Sequence, residues 1–202
     1  MITSKEIERC PWAGADVDYI RYHDEEWGVP MTDDRALFEK LILEGFQAGL
    51  SWITILRKRE NFRKAFHDFD AARIARYSAR DIDRLMKNEG IIRNRAKIEA
   101  TISNAKTYLA LSERMPFSQY IWGFVDGRPI TNAIASLKDI RPETEVSKKM
   151  SKALKADGFR FVGSTTLYAF MQSTGMVNDH VVTCFRHAAC AKLQKKLKIA
   201  GL

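Results

Sequence analysis

Cysteine is scarce in this 202-residue chain, with three residues at positions 10, 184 and 190. So small and odd a number cannot build a disulfide framework, which leaves thiol packing or metal binding as their uses. No apolar run approaches the roughly eighteen residues of a membrane span. The first twenty positions are interrupted by Lys5, Glu6, Glu8, Arg9 and Asp16, so no secretion signal is expected and a cytoplasmic protein is. Strand-like alternation is almost missing, and no repeat or low-complexity linker divides the chain. Acidic charge is the minority, 25 Asp and Glu against 33 Lys and Arg, for a net +8. That excess favours a polyanionic partner through non-specific attraction, although it serves solubility equally well. What is present, 46% hydrophobic and 29% charged residues, is ordinary for a folded globular protein and excludes disorder.

Helical periods follow one another along the chain. Leu37, Phe38, Leu41 and Ile42 form one face after a start at residues 30–34, where Thr32 is the expected cap. Ser51 is the expected cap of a second helix that turns Trp52, Ile55, Leu56, Phe62 and Phe66 inward. Ser78 with Asp81 reads as a capping box before Ile82, Leu85 and Met86, and Gly90 is expected to end that helix. Ile98, Ile102, Ala105 and Leu109 give the next, residues 117–125 a short one, and Asp126-Gly127-Arg128-Pro129 a turn. The expectation is one all-α unit of two lobes over residues 1–187, with residues 188–202, including Lys192, Lys195, Lys196 and Lys198, as a loosely held basic tail.

Residues 147–181 read as two helices joined by a tight hairpin. Gly158 stands where a left-handed cap is needed. Gly163, Ser164 and Thr165 would open the second helix with unpaired N–H groups able to face a phosphate, and Arg160 lies between the glycines. An ordinary hairpin whose glycines merely cap fits the same pattern.

Cys10, His23, His180 and Cys184 form the chain's metal-ligand pattern. His180 and Cys184 lie one helical turn apart, and two thiolates with two imidazoles suit one tetrahedral, structural zinc ion per chain, stapling residues 10–23 to residues 180–184. Four unrelated core or surface residues would look the same, and His187 with Cys190 is a competing pair. Trp12, Tyr19, Tyr22 and Trp27 stand outside a regular apolar stripe and Trp52 follows soon after Glu44; these rings either pack a core or stack a flat ligand. Glu44 interrupts an apolar run, as a solvated edge or as a buried acceptor awaiting a donor. The turn at Gly45–Leu50 pushes Leu50 outward.

The runs YHDEEWGVP at 22–30, LEGFQAGLSWIT at 43–54, KREN at 58–61, GIIR at 90–93, FVG at 161–163 and VNDHV at 177–181 resemble, in this order, the bacterial 3-methyladenine DNA glycosylase I (Tag) family of helix-hairpin-helix DNA glycosylases. The resemblance covers roughly residues 8–186. It implies an all-α enzyme of that fold, with a hairpin gripping the DNA backbone and a zinc site at Cys10, His23, His180 and Cys184. It implies a base pocket in which Glu44 accepts from an amine edge, Tyr22 and Trp52 stack, and Trp12, Tyr19 and Trp27 surround them, with Leu50 as the wedge into the duplex. It also implies partners: double-stranded DNA carrying alkylated bases, and free 3-methyladenine as product, with no membrane and a monomeric chain. Where related glycosylases carry a catalytic aspartate this chain has Asn178, which stands with Glu44 as a candidate catalytic residue although expected to contribute little, and Asp179 beside it is expected to cap the following turn. No lysine stands at that position, so base excision without strand cleavage is expected. A non-catalytic, zinc-stapled DNA-binding protein is the alternative, and Phe46 and Gln47 raise that of a shifted lesion choice.

Overall fold

The computed structural model describes residues 7–202, and they form ten α-helices. Helix α1 (Val17–Glu25) opens under Asp16, whose carboxylate accepts from the amides of Asp18 and Tyr19. Helix α2 (Asp34–Gln47) is capped by Asp33 rather than Thr32: its carboxylate reaches the Ala36 amide at 2.8 Å. Next come α3 (Trp52–Ala65), α4 (Ala71–Ile74) and α5 (Ala79–Met86). Ser51 stands at the N-cap of α3, but its hydroxyl bonds the Thr54 hydroxyl instead of a backbone amide. Ser78 and Asp81 form the capping box of α5, which ends at Met86, so Gly90 belongs to the turn beyond it. Helices α6 (Arg95–Ser112) and α7 (Phe117–Trp122) follow, then α8 (Glu145–Asp157), α9 (Ser164–Ser173) and α10 (Phe185–Lys195). A two-residue parallel pair, β1 (Ile130–Thr131) with β2 (Val177–Asn178), was not expected, because two residues carry no period to read.

Helix α2 runs through the middle of the main core. Leu37, Phe38, Leu41, Ile42, Leu43 and Phe46 are all buried, since α3, α6, α7 and α9 cover it on several sides. Phe46, Phe62, Phe66 and Phe69 pack ring on ring, with centroids 4.7 to 6.1 Å apart. Each such side chain contributes about 1.5–3 kcal/mol by leaving water, so this stack alone outweighs several surface contacts. A second, smaller cluster gathers Cys10, Tyr22, Trp27, Ile134, Val181 and Cys184 against Trp12 and Trp52. Of the helical hairpin, α9 packs on α2 and α8 packs on α9, and both bury side chains in the main core.

The basic tail is a correction. Residues 188–195 continue α10, which buries Cys190 and Gln194, and Ile199 reaches the main core. The Gln194 amide donates to the Gly175 carbonyl at 2.9 Å. Lysines dominate the composition of this stretch but occupy the outer face, so counting charge hid a packed inner one.

Candidate functional site

Cys10, His23, His180 and Cys184 converge as the resemblance implies. All four are buried, and their ligand atoms lie within 4.8 Å of one another. Cys10 Sγ is 3.4 Å from His180 Nδ1, and Cys184 Sγ is 3.4 Å from His23 Nε2 and 3.6 Å from His180 Nδ1. The outer nitrogens fix the ring orientations: His23 Nδ1 faces the Asp24 carboxylate at 2.7 Å, and His180 Nε2 donates to the Trp27 carbonyl at 3.0 Å. Each ring thereby presents its remaining nitrogen to the cluster. The Val181 and Arg186 amides donate to Cys10 and Cys184 Sγ, both at 3.4 Å. Cys184 is the thiol held far below its ordinary value, first by its hydrogen bond with Cys10, then against burial by the two imidazoles. The group can hold one metal ion with no position left for water. The competing pair does not form: His187 Nε2 bonds the Asn132 carbonyl, and Cys190 packs beneath Trp27.

Beside this cluster lies a cavity of about 220 Å³ lined by Trp12, Tyr19, Tyr22, Trp27, Glu44, Gln47, Trp52, Ile140, Ala169, Gln172 and Ser173. All five singled-out aromatic residues and Glu44 are therefore brought together. The metal cluster and the cavity share walls, with Trp12 5.3 Å edge-on to His23 and Trp27 4.6 Å edge-on to His180. Tyr22 and Trp52 stand 5.4 Å apart with their planes tilted by 42°. Trp52 Nε1 is buried without an acceptor. Glu44 projects from α2 with 3% of its surface exposed, and its Oε1 accepts from the Ser173 hydroxyl at 3.0 Å. Burial pushes its carboxyl up to about 7, against the opposing pull of Lys40 and Ser173. Of the two residues raised for lesion choice, Gln47 lines the cavity and Phe46 packs in the core; sequence reasoning missed Gln172 and Ser173 as lining, and Lys40, which is buried one turn before Glu44 beside the Tyr22 and Trp52 rings. A lysine amid apolar residues at Glu44 minus four was the available signal.

A neighbouring groove of about 380 Å³ shares Trp12, Ile140, Ala169 and Gln172 with the cavity and runs to Thr165. There the hairpin begins. Gly158 takes the left-handed conformation at φ 105°, as its capping role requires. Gly163 does not: at φ −64° any residue would fit, and a Cβ there meets only Thr166 Oγ1, at an ordinary 4.0 Å. Neither backbone conformation nor crowding within the fold requires glycine at 163. The Ser164 hydroxyl is taken by the Glu143 carboxylate, whereas Thr165 is exposed. Arg160 projects outward, and both its backbone groups are held by the Asn104 amide, at 2.7 and 3.0 Å. Leu50 is exposed after Gly49. The α2 end behind it is tied down by Lys97, whose ammonium donates to the Phe46 and Ala48 carbonyls at 2.8 and 2.7 Å.

Asn178 is the site residue that the structure moves. It does not line the cavity; fully buried in β2, it donates to the His187 carbonyl and accepts from the His180 amide. Its side chain is engaged in holding the loop that carries His180. Asp179 is no cap either. Its carboxylate accepts from Asn132 at 2.7 Å, Tyr168 at 2.6 Å and Gln172 at 2.8 Å, so it is held in an internal hydrogen-bond network.

A family model described as methyladenine glycosylase matches residues 12–187. A DNA-3-methyladenine glycosylase of Haemophilus influenzae is 56% identical over 177 residues, 87% of this chain and 96% of that protein. A crystal structure of a 3-methyladenine DNA glycosylase I superposes with a TM-score of 0.88 at 54% identity, over 89% of this chain and all of that one. A Staphylococcus aureus structure described as the basis of 3-methyladenine recognition has a TM-score of 0.86 at 36% identity, over 90% of this chain and 97% of that one.

Proposed function

The chain belongs to the methyladenine glycosylase family and is a DNA-repair hydrolase of N-glycosyl bonds; we propose that it works by receiving a flipped-out 3-methyladenine in the aromatic cavity. The observation that carries this reading is Glu44, a buried carboxylate on the wall of a cavity otherwise lined by rings. An acceptor so placed is under-compensated until an amine edge and a positive ring arrive together. Normal adenine brings no charge, so it gains neither the ion pairing nor the cation–π attraction, on the order of 0.5–2 kcal/mol in a desolvated site.

The lesion base already carries the charge that a general acid would otherwise supply. As the bond from C1′ to the base breaks, its electron pair neutralises the ring and the base leaves uncharged. A water oxygen then bonds to C1′ and releases its proton to solvent, leaving an abasic site and an uncut strand. Asn178 and Asp179 take no part, since both are committed to internal hydrogen bonds. Binding energy and orientation supply the rate. Leu50 fills the space of the extruded nucleotide, while Gly163, the amide of Thr165 and the side chain of Arg160 hold the backbone along the groove that leads to the cavity. Cavity, hairpin and metal cluster all come from one chain, so a monomer suffices.

Zinc fits the cluster. Zn–S bonds of about 2.3 Å and Zn–N bonds of about 2.0 Å put the S···N edges of a tetrahedron near 3.5 Å, and three of the four S···N separations here are 3.4, 3.4 and 3.6 Å. Held by Cys10, His23, His180 and Cys184, the ion would be structural. The decisive test of the function is release of free base from alkylated DNA, with 3-methyladenine and 7-methylguanine lesions side by side. Release of 3-methyladenine by the wild-type protein is expected; DNA binding without release would leave only a binding protein.

A further inference from the structure

Lys40 touches neither the cavity surface nor the metal cluster, yet it is 95% withdrawn from solvent within the same group of residues. Its ammonium lies 5.0 Å from the Tyr22 ring centre and 4.8 Å from that of Trp52, with the Tyr22 hydroxyl 3.5 Å away. These are the two rings that frame the cavity. Lys40 and Glu44 are one helical turn apart on α2, so their side chains rise from the same face.

An isolated ammonium is costly to bury, and a leucine or methionine would support both rings as well. The charge therefore needs a use. Around Glu44, α9 contributes the Ser173 hydroxyl and no titratable group, and α1 contributes the Tyr22 phenol. Further out, Glu26 after α1 and Arg59 of α3 form their own ion pair at 2.8 Å and largely cancel. Glu39 of α2 is likewise engaged by Arg63 of α3. Lys40 is left as the uncancelled positive charge behind the carboxylate.

We propose that Lys40 is a positioning residue for base recognition that keeps Glu44 ionised in the empty cavity, from behind the rings and without contacting the base. This rests on the reading of the cavity as the base site. The two groups report each other: Lys40 is the first influence opposing the burial that raises Glu44, and Glu44 is the first opposing the burial that lowers Lys40. Without the ammonium, Glu44 would hold its proton to higher pH and meet the amine edge of the base as a second donor. Lys40 also bears on selectivity. A cation over the Tyr22 and Trp52 rings weakens their attraction for a positive base, so Glu44 carries the larger share of discrimination by charge.

The test is the pH dependence of free 3-methyladenine binding, followed by tryptophan fluorescence, in wild type and Lys40→Met. Methionine keeps the support of the rings and removes the charge. The acid limb is expected to move up by about 1 pH unit or more, with high-pH affinity close to wild type. An unmoved limb overturns the proposal. Because Lys40→Met can fail to fold, the coupling is also read in the wild type by NMR: the Lys40 Cε resonance should inflect where Glu44 titrates and lose that inflection in Glu44→Gln. A Lys40 signal that is flat over that range overturns the proposal as well. Wild type that binds no 3-methyladenine at any pH removes the base-site reading instead, and the NMR experiment still decides the coupling.

Discussion

His180 donates its Nε2 proton to the carbonyl of Trp27 at 3.0 Å, so one ring nitrogen orients a metal ligand while its bond partner carries a wall of the cavity. The Cys/His cluster and the cavity are thus coupled through this hydrogen bond and through the edge contacts of Trp27 with His180 and of Trp12 with His23.

Loss of the metal should therefore disturb recognition along with stability. Cys10→Ser is expected to lower zinc content, drop Tm by about 10 °C, equivalent to ~3–4 kcal/mol for a chain of this size, and weaken 3-methyladenine binding. Cys190→Ser should leave zinc content unchanged. Metal analysis with thermal melts checks this, and a Cys10→Ser protein with full zinc content would sink the assignment.

Recognition should titrate with Glu44. Burial raises its carboxyl to about 7, so below that pH the free enzyme carries a proton where an acceptor is needed. The kcat/KM for excision should rise with pH through about 7. A bound cation stabilises the carboxylate, so the limb in kcat should lie lower. Glu44→Gln should lose both limbs and about 10–100-fold in affinity for the free base. A pH profile that is flat across this range in the wild type refutes the role.

The hairpin is probed separately from the cavity. Gly163→Ala places a methyl group in ordinary contact with Thr166 Oγ1 at 4.0 Å, so Tm should stay near wild type while DNA affinity falls about 10-fold, the worth of one or two phosphate contacts. Free-base affinity should not change. DNA affinity equal to wild type for Gly163→Asp, which adds a negative charge as well, would remove the hairpin from the interface.

Leu50→Ala should separate extrusion from recognition. Its side chain is exposed and distant in role from Glu44, so free 3-methyladenine should bind normally while excision from duplex DNA falls. Excision from a single-stranded substrate should be affected less. Equal losses on both substrates would mean that Leu50 is no wedge.

Asn178→Ala should behave as a folding variant. It leaves the His180 amide and the His187 carbonyl unpaired, at about 1–3 kcal/mol each, and Tm should fall accordingly. Excision per folded molecule should stay within a few-fold of wild type. Abolished turnover in a folded Asn178→Ala protein would return the chemistry to this loop.

Patterns in the chain made most of the helices legible, because capping carboxylates and 3.6-residue periods are local. The Ser78–Asp81 box and the left-handed Gly158 were readable for that reason. Cys10 and Cys184 were candidates from side-chain chemistry, but only the resemblance made them one site, since nothing local joins residues 174 positions apart. Asn178 was misplaced because the resemblance carries a position and not the direction of a side chain. Lys40 was overlooked because a lysine on a helix is normally solvated, and its burial depends on α1 and α3 closing over α2. The two-residue β pair and the packed face of α10 are likewise tertiary facts.

Lys97 and Asn104 lie seven residues apart on α6, one tying the end of α2 behind Leu50 and the other gripping the backbone of Arg160. The Leu50 turn and the hairpin thus hang from one helix. On the proposed reading of Leu50 as wedge and the hairpin as backbone grip, a load on either is borne by the same helix that braces the other, as a lever works against a fixed fulcrum.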